Sequence, residues 1–184
     1  MGAEALPPAP QTERLRLRRL TLDDAAFIRE LVNDPDWIRF IGDRHVHSDD
    51  DARAYLERGY LALYRQHGFG LWAVEPRESR TPLGICGLLK RDTLTDVDLG
   101  FAFLPAARGR GYASEAAAAS LRHAHDVLGF ARVVAICTPE NTASRRTLEG
   151  IGMRLEKLFR MKDDAEELCL YASGADAQPE AAPE

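Results

Sequence analysis

The stretch Leu104-Pro105-Ala106-Ala107-Arg108-Gly109-Arg110-Gly111-Tyr112-Ala113-Ser114-Glu115 constrains this chain more than any other. An alternating apolar segment runs into it and a long alanine-rich segment leaves it, so it reads as a tight strand-to-helix turn. A helix start leaves backbone N–H groups without intrahelical acceptors, and the positive end of the helix dipole favours an anion there. Gly109 and Gly111 remove side chains where a phosphate would approach the backbone, and they permit dihedrals that other residues resist. Arg108 and Arg110 add fixed positive charge in planar forks. The local chemistry is that of a pyrophosphate cradle.

The segments around the turn define the rest. Residues 1–10 are rich in Pro and Ala and read as a flexible tail. Leu15 and Leu17 alternate with arginines as a half-buried first strand. Thr21 caps a helix reaching about Val32 and ending before Asn33-Asp34-Pro35. Trp37, Phe40 and Ile41 form a short apolar helical turn, and residues 42–47 read as a loop. Ser48 caps an acid-led helix that ends at Gly68. Phe69–Val74, Leu83–Leu89 and Val97–Leu104 read as an antiparallel meander. In the third of these strands Asp98, Gly100 and Ala102 face away from Val97, Leu99, Phe101 and Phe103. A helix over Ser114–Leu128 buries Ala117, Leu121, Ala124 and Leu128. Val133–Cys137 is a doubly buried strand, and strand, crossover helix, strand implies one parallel step at the cradle. Asn141 caps a helix to Gly150, and Met153–Phe159 and Leu168–Ala172 close the chain as strands. The fold class is α/β (α+β): a mixed, mostly antiparallel sheet of about seven strands flanked by helices. The division expected is a tail at 1–10, a single domain at 11–173 and a disordered acidic tail at 174–184.

Composition enters mainly to exclude. The net charge of −5 comes largely from Glu4, Asp176, Glu180 and Glu184 in the two tails, so the folded part is near neutral. A nucleic-acid binder would be distinctly basic. No apolar run approaches the about 20 residues that span a bilayer, and the first residues lack a signal-peptide pattern. A cytoplasmic chain with no membrane or nucleic-acid partner is expected. Cys86, Cys137 and Cys169 are odd in number, widely spaced and set in apolar strands, which reads as reduced thiols with no disulfide and no metal.

With these residues in view, the chain resembles the GNAT superfamily of N-acetyltransferases. Arg108, Gly111 and Ala113 match its acetyl-CoA signature, Arg/Gln-x-x-Gly-x-Gly/Ala. The setting between Asp98-Leu99-Gly100-Phe101 and Glu115-Ala116 is similar to that of the RimJ/RimL-like branch. So are Pro139-Glu140-Asn141-Thr142-Ala143-Ser144 and Leu148-Glu149-Gly150-Ile151-Gly152-Met153. The resemblance covers about Thr12 to Ala172. Asp98 stands where many relatives carry Glu, and Met153 where they carry Phe.

The resemblance implies that acetyl-CoA is the co-substrate and that the sheet splays to receive it. Backbone N–H groups from about Arg108 to Ala113, spanning Gly109, Arg110, Gly111 and Tyr112, would hold the pyrophosphate. The pantetheine arm would lie between strands ending near Phe103, Leu104 and Cys137, pairing like an added strand. Asn141 and Ser144 would meet the arm or the acetyl end, and Arg145 would approach the adenosine phosphates. The implied chemistry is direct transfer of acetyl to a primary amine, of a protein or peptide N-terminus or a small amino compound. An ammonium has no lone pair, so a base must first take its proton. Asp98 is the candidate, with Asp96 about 6.6 Å away on the same strand face at about 3.3 Å per residue. Ser144 is the candidate for protonating the leaving thiolate, with Asn141 beside it, and Tyr112 reads as packing. By resemblance, Trp37, Phe40, Asp43 and Arg44 line the acceptor groove, with Asp43 attracting an ammonium. His45 and His47 read as polar loop residues. The chain is expected as a monomer or homodimer.

Rival readings lack their residues. Ser114 replaces the third glycine of a dinucleotide fingerprint, no Gly-Lys-Ser/Thr loop is present, and neither is Gly-x-Ser-x-Gly. The alternative that keeps the cradle is a non-catalytic acyl-CoA-binding sensor or partner module.

Overall fold

The computed structural model describes residues 7–162 and 165–174. The expected tails therefore lie largely outside the described residues, although Ala9 already packs against the core. The first strand, β1 (Leu15–Arg19), buries Leu15 and Leu17. It pairs antiparallel with β2 (Leu71–Pro76), where Arg16 and Arg18 flank the buried Glu75 and neutralise it at 2.7 and 2.6 Å. Thr21 and Asp24 form a reciprocal capping box over a short 3-10 turn, which leads into α1 (Ala25–Val32). Asp34 caps α2 (Pro35–Phe40), with Pro35 in the first turn where its missing N–H costs nothing.

The long helix expected after Ser48 is not uniform. It runs as α3 (Asp49–Leu56), a wider π turn over Glu57–Leu61, and α4 (Ala62–His67), closed by Gly68 in the left-handed conformation. Gly59, a poor helix former, sits at the centre of the wide turn. The strands β3 (Gly84–Leu89) and β4 (Val97–Phe103) complete the meander. After the cradle comes α5 (Tyr112–Asp126), beginning two residues before the expected Ser114 because Gly111, at φ +78°, takes the cap position. It leads to β5 (Arg132–Cys137), α6 (Thr142–Gly150), β6 (Arg154–Phe159) and β7 (Leu168–Gly174).

The seven strands lie in the order β1-β2-β3-β4-β5-β7-β6. All neighbours are antiparallel except β4 and β5, the parallel step expected at the cradle. Alternate residues feed two cores. Trp72, Val74, Leu99 and Phe103 pack with Ala117 and Leu121 of α5, while Ala73 and Ile85 pack with Ile28 of α1 and Leu56 of α3. Helices therefore cover both faces of the sheet. The cysteines are unpaired thiols.

Candidate active site

The site begins where the parallel pair stops. β4 and β5 pair only at Val97↔Val133 and Asp98↔Val134. Beyond those residues the two strands part, while their outer edges stay paired to β3 and β7 up to Phe103 and Cys137. The inner edges from Leu99 to Phe103 and from Ala135 to Cys137 face a wedge-shaped gap, and unpaired strand edges suit an extended amide-bearing ligand.

At the open end of the gap lies the cradle. Pro105–Ala107 is a 3-10 turn, whose closing bond is donated by the Arg108 N–H to Pro105 O at 3.1 Å. Gly109 and Gly111 then hold φ values of +72° and +78°. Tyr112, Ala113 and Ser114 begin α5, and the first amide to find a helical acceptor is Glu115, at 3.0 Å from Gly111 O. Among the described residues the amides from Gly109 to Ser114 donate to no acceptor. Glu115 does not oppose an anion here. Thr12 and Arg14 take both of its oxygens at 2.6 Å, and these bonds hold its pKa low against the opposing effect of partial burial.

Two cavities meet along the gap. The first, of about 460 Å³, runs from the cradle glycines past Tyr112, Ala113 and Phe103 to Asn141 and Ser144. The second, of about 490 Å³, lies towards the helices and holds Arg44, Arg58, Tyr60, Arg91 and Asp98 on its wall. Trp37, Phe40, Phe101, Asn141 and Ser144 line both. Among the described residues the indole N–H of Trp37 is buried without an acceptor. Asn141 Oδ1 accepts the Ser144 N–H at 3.1 Å as the cap of α6. The Ser144 hydroxyl has no partner among the described residues and stays available at the junction.

Asp98 sits at the closed end of the gap, 1% exposed. Arg91 donates to its Oδ2 at 2.5 Å, while Oδ1 is buried with no hydrogen-bond partner among the described residues. Burial pushes its carboxyl up to about 6, against the opposing pull of Arg91. The Ile136 amide across the gap adds a weaker pull in the same direction as Arg91, without hydrogen-bond geometry. A carboxylate with one oxygen anchored and one unfilled, poised near neutrality, is suited to accept a proton. Cys137 lines the same cavity, but burial pushes its thiol up to about 12, so it is not a nucleophile at neutral pH.

Several expected residues have protein partners. Arg108 lines the first cavity, and its guanidinium donates to Phe103 O at 3.0 Å and to Asp34 and Asp36 at 2.5 Å each, clamping α2 to the cradle. The Leu104 side chain lines a separate groove with Leu83 and Ala106. The Arg145 guanidinium donates to the Tyr171 hydroxyl at 3.1 Å and to Pro139 O at 3.3 Å. Asp96 is held by Arg132 at 3.0 Å and does not share the cavity with Asp98. Asp43 lies outside both cavities, its carboxylate accepting the His45 N–H at 2.8 Å. Arg110 is exposed beside the cradle; among the described residues only its carbonyl is engaged, by Arg14 at 3.0 Å. Tyr55, Arg58, Tyr60, Lys90 and Arg91 are polar cavity residues that sequence reading missed. No local motif marks them, because their places come from the end of α3, the π turn and the residues just after β3.

Comparison with known proteins agrees with this geometry. The Acetyltransferase (GNAT) domain model matches residues 14–154. YkkB of Bacillus subtilis (strain 168) is 31% identical over 156 residues, covering 81% of this chain and 87% of its own. The crystal structure of a GNAT-family acetyltransferase from Bacillus anthracis superposes with a TM-score of 0.74 at 27% identity, over 89% of this chain and 96% of that one. The ribosomal protein N-acetyltransferase RimL, solved in complex with coenzyme A, shares the fold at 16% identity and a TM-score of 0.69, over 92% and 99%.

Proposed function

This chain belongs to the GNAT acetyltransferase family and is an N-acetyltransferase, and from that premise we propose that it passes acetyl directly from acetyl-CoA to a primary amine, with Asp98 as general base. Acetyl-CoA, when bound, supplies the activated thioester. The residues present fit it: unpaired amides from Gly109 to Ser114 suit a pyrophosphate, and the free strand edges suit the amide-bearing arm. The orphan Trp37 N–H suits a carbonyl oxygen of a bound ligand.

The acceptor amine enters through the second cavity. Asp98 Oδ1 takes its proton, directly or through one water, while Arg91 keeps Oδ2 fixed. Ser144, at the junction of the cavities, is placed to give a proton to the departing thiolate. Its similarity to RimJ/RimL-like proteins through Asn141 and Ser144 supports placing the chain in that branch. A cytoplasmic setting and action on a protein N-terminus or a small amino compound are part of the same proposal.

The observation that carries the reading is the buried, half-partnered Asp98 at the closed end of the gap. Asp98→Asn tests it. Calorimetric affinity for acetyl-CoA should stay within about twofold while turnover drops about 100-fold or more. Unchanged turnover would remove Asp98 from the mechanism.

A further inference from the structure

We propose that the acceptor is an amine carrying a carboxylate at its far end, and that Arg44 and Arg58 select it at the mouth of the second cavity. The inference rests on the acetyl-transfer reading and names its substrate class.

The charges on the cavity wall are unequal. Arg44, Arg58, Lys90 and Arg91 line it, and Asp98 is the only carboxylate among the described lining residues. Arg91 is committed to Asp98. The Lys90 ammonium is held by Leu94 O at 2.8 Å and Thr95 O at 2.6 Å. Arg44 and Arg58 remain. Both are exposed, and their hydrogen bonds are long ones to backbone carbonyls, at 3.5 Å to Ile41 and 3.3 Å to Ala54. Neither has a carboxylate partner among the described residues. The acids next to them in the chain are turned to other groups, Asp43 to His45 and Glu57 to Arg65. The one acid of the wall therefore lies at the buried end, where the amine must arrive, compensated there by Arg91, while the guanidiniums without a carboxylate partner lie at the mouth.

Two further features prepare the mouth for an anion. The wide π turn carries Arg58 and Tyr60 with Gly59 between them, and a Cβ at Gly59 would meet nothing within 4 Å, so the turn itself adds no side chain between the two. Such turns recur at ligand sites. Tyr55 and Tyr60 stand edge to face, with hydroxyls 3.5 Å apart. One O–H satisfies the other, so the pair keeps one donor to spare. Two arginine forks and a spare hydroxyl donor form a carboxylate site. A polyamine would set its second cation against the same arginines, which like-charge repulsion disfavours.

The test uses a ladder of amines: glycine, β-alanine, 4-aminobutyrate and 6-aminohexanoate, each against the alkylamine that lacks its carboxylate. Turnover is read as coenzyme A release, and calorimetry reads binding of each acceptor to the protein loaded with coenzyme A. At least one pair should favour the carboxylate by about tenfold or more in kcat/KM. The ratio should fall towards one in Arg44→Ala/Arg58→Ala, with acetyl-CoA affinity unchanged, and reverse in Arg58→Glu. Both arginines are exposed, so the variants fold. An alkylamine equal to or better than its partner in every pair overturns the inference and leaves acetyl transfer standing. Failure of every acceptor to bind the loaded protein overturns it too. Failure to bind acetyl-CoA strikes at acetyl transfer itself.

Discussion

The cradle from Gly109 to Ser114 recognises with backbone, whereas the acceptor cavity recognises with side chains. The cradle is one contiguous turn whose amides are left open by two left-handed glycines and a helix start. The cavity assembles Trp37, Arg44, Arg58, Arg91 and Asp98 from separate stretches that only the sheet topology brings together. Backbone recognition of a phosphate depends on spacing and is indifferent to most side chains. Charge selection in the cavity depends on which guanidinium is spent on a neighbour and which is not. The two halves meet at Trp37, Phe40, Phe101, Asn141 and Ser144, which line both cavities, and are tied a second time through Arg108, which holds Asp34 and Asp36 at the start of α2.

The sharpest way to break the contrast is a bulky side chain in the cradle. Gly111→Trp should reduce acetyl-CoA affinity by at least about 100-fold, about 2.7 kcal/mol by calorimetry. Gly129, just past the other end of α5, has a similar φ of +74°; a Cβ there would meet nothing within 4 Å, whereas one at Gly111 would meet only the flexible end of Arg14, at 3.3 Å. Gly129→Trp should therefore carry the same backbone strain and leave binding intact. Equal loss in both would make the effect one of stability alone.

Arg108→Ala cuts the tie between the halves and leaves Asp34, 7% exposed, without its partner. It should destabilise the fold by about 1–3 kcal/mol in denaturant unfolding and raise KM for both substrates. Lysine at 108 should recover little, because one ammonium does not replace a fork spanning three acceptors. A rise in KM for acetyl-CoA alone would return Arg108 to phosphate binding. Ser144→Ala should lower kcat about tenfold, less than usual for acid catalysis because a thiolate leaves without full protonation. Asp43→Ala should shift the acceptor KM less than about twofold in steady-state assays. A tenfold rise would restore Asp43 to the acceptor side and contradict the charge pattern of the cavity.

The contrast also explains what could be read in advance. The strands of the meander, the parallel step and the caps at Thr21, Ser48 and Asn141 are local patterns, and each is present where periodicity and capping chemistry put it. The faces of β4 are right for the same reason: Asp98 and Ala102 turn away from the core that holds Leu99 and Phe103. The partners of Arg108, Arg145 and Asp43 were not legible, because a charged side chain advertises its charge but not its partner. The acids that occupy Arg108 stand more than 70 positions away. The π turn was invisible because its one cue, Gly59, also fits a slightly weakened α-helix.

The most direct measurement of the central claim is the pH dependence of kcat in the wild type and in Asp98→Asn, with both substrates saturating. Burial raises the Asp98 pKa from 3.8 to about 6, so the proton-accepting form is present above about pH 6 and is lost as pH falls through it. The wild type should show an acid limb centred near pH 6, and Asp98→Asn should be slower by about 100-fold or more and lack that limb. A wild-type profile flat down to pH 5, or the same limb in Asp98→Asn, would contradict Asp98 as the base of the site.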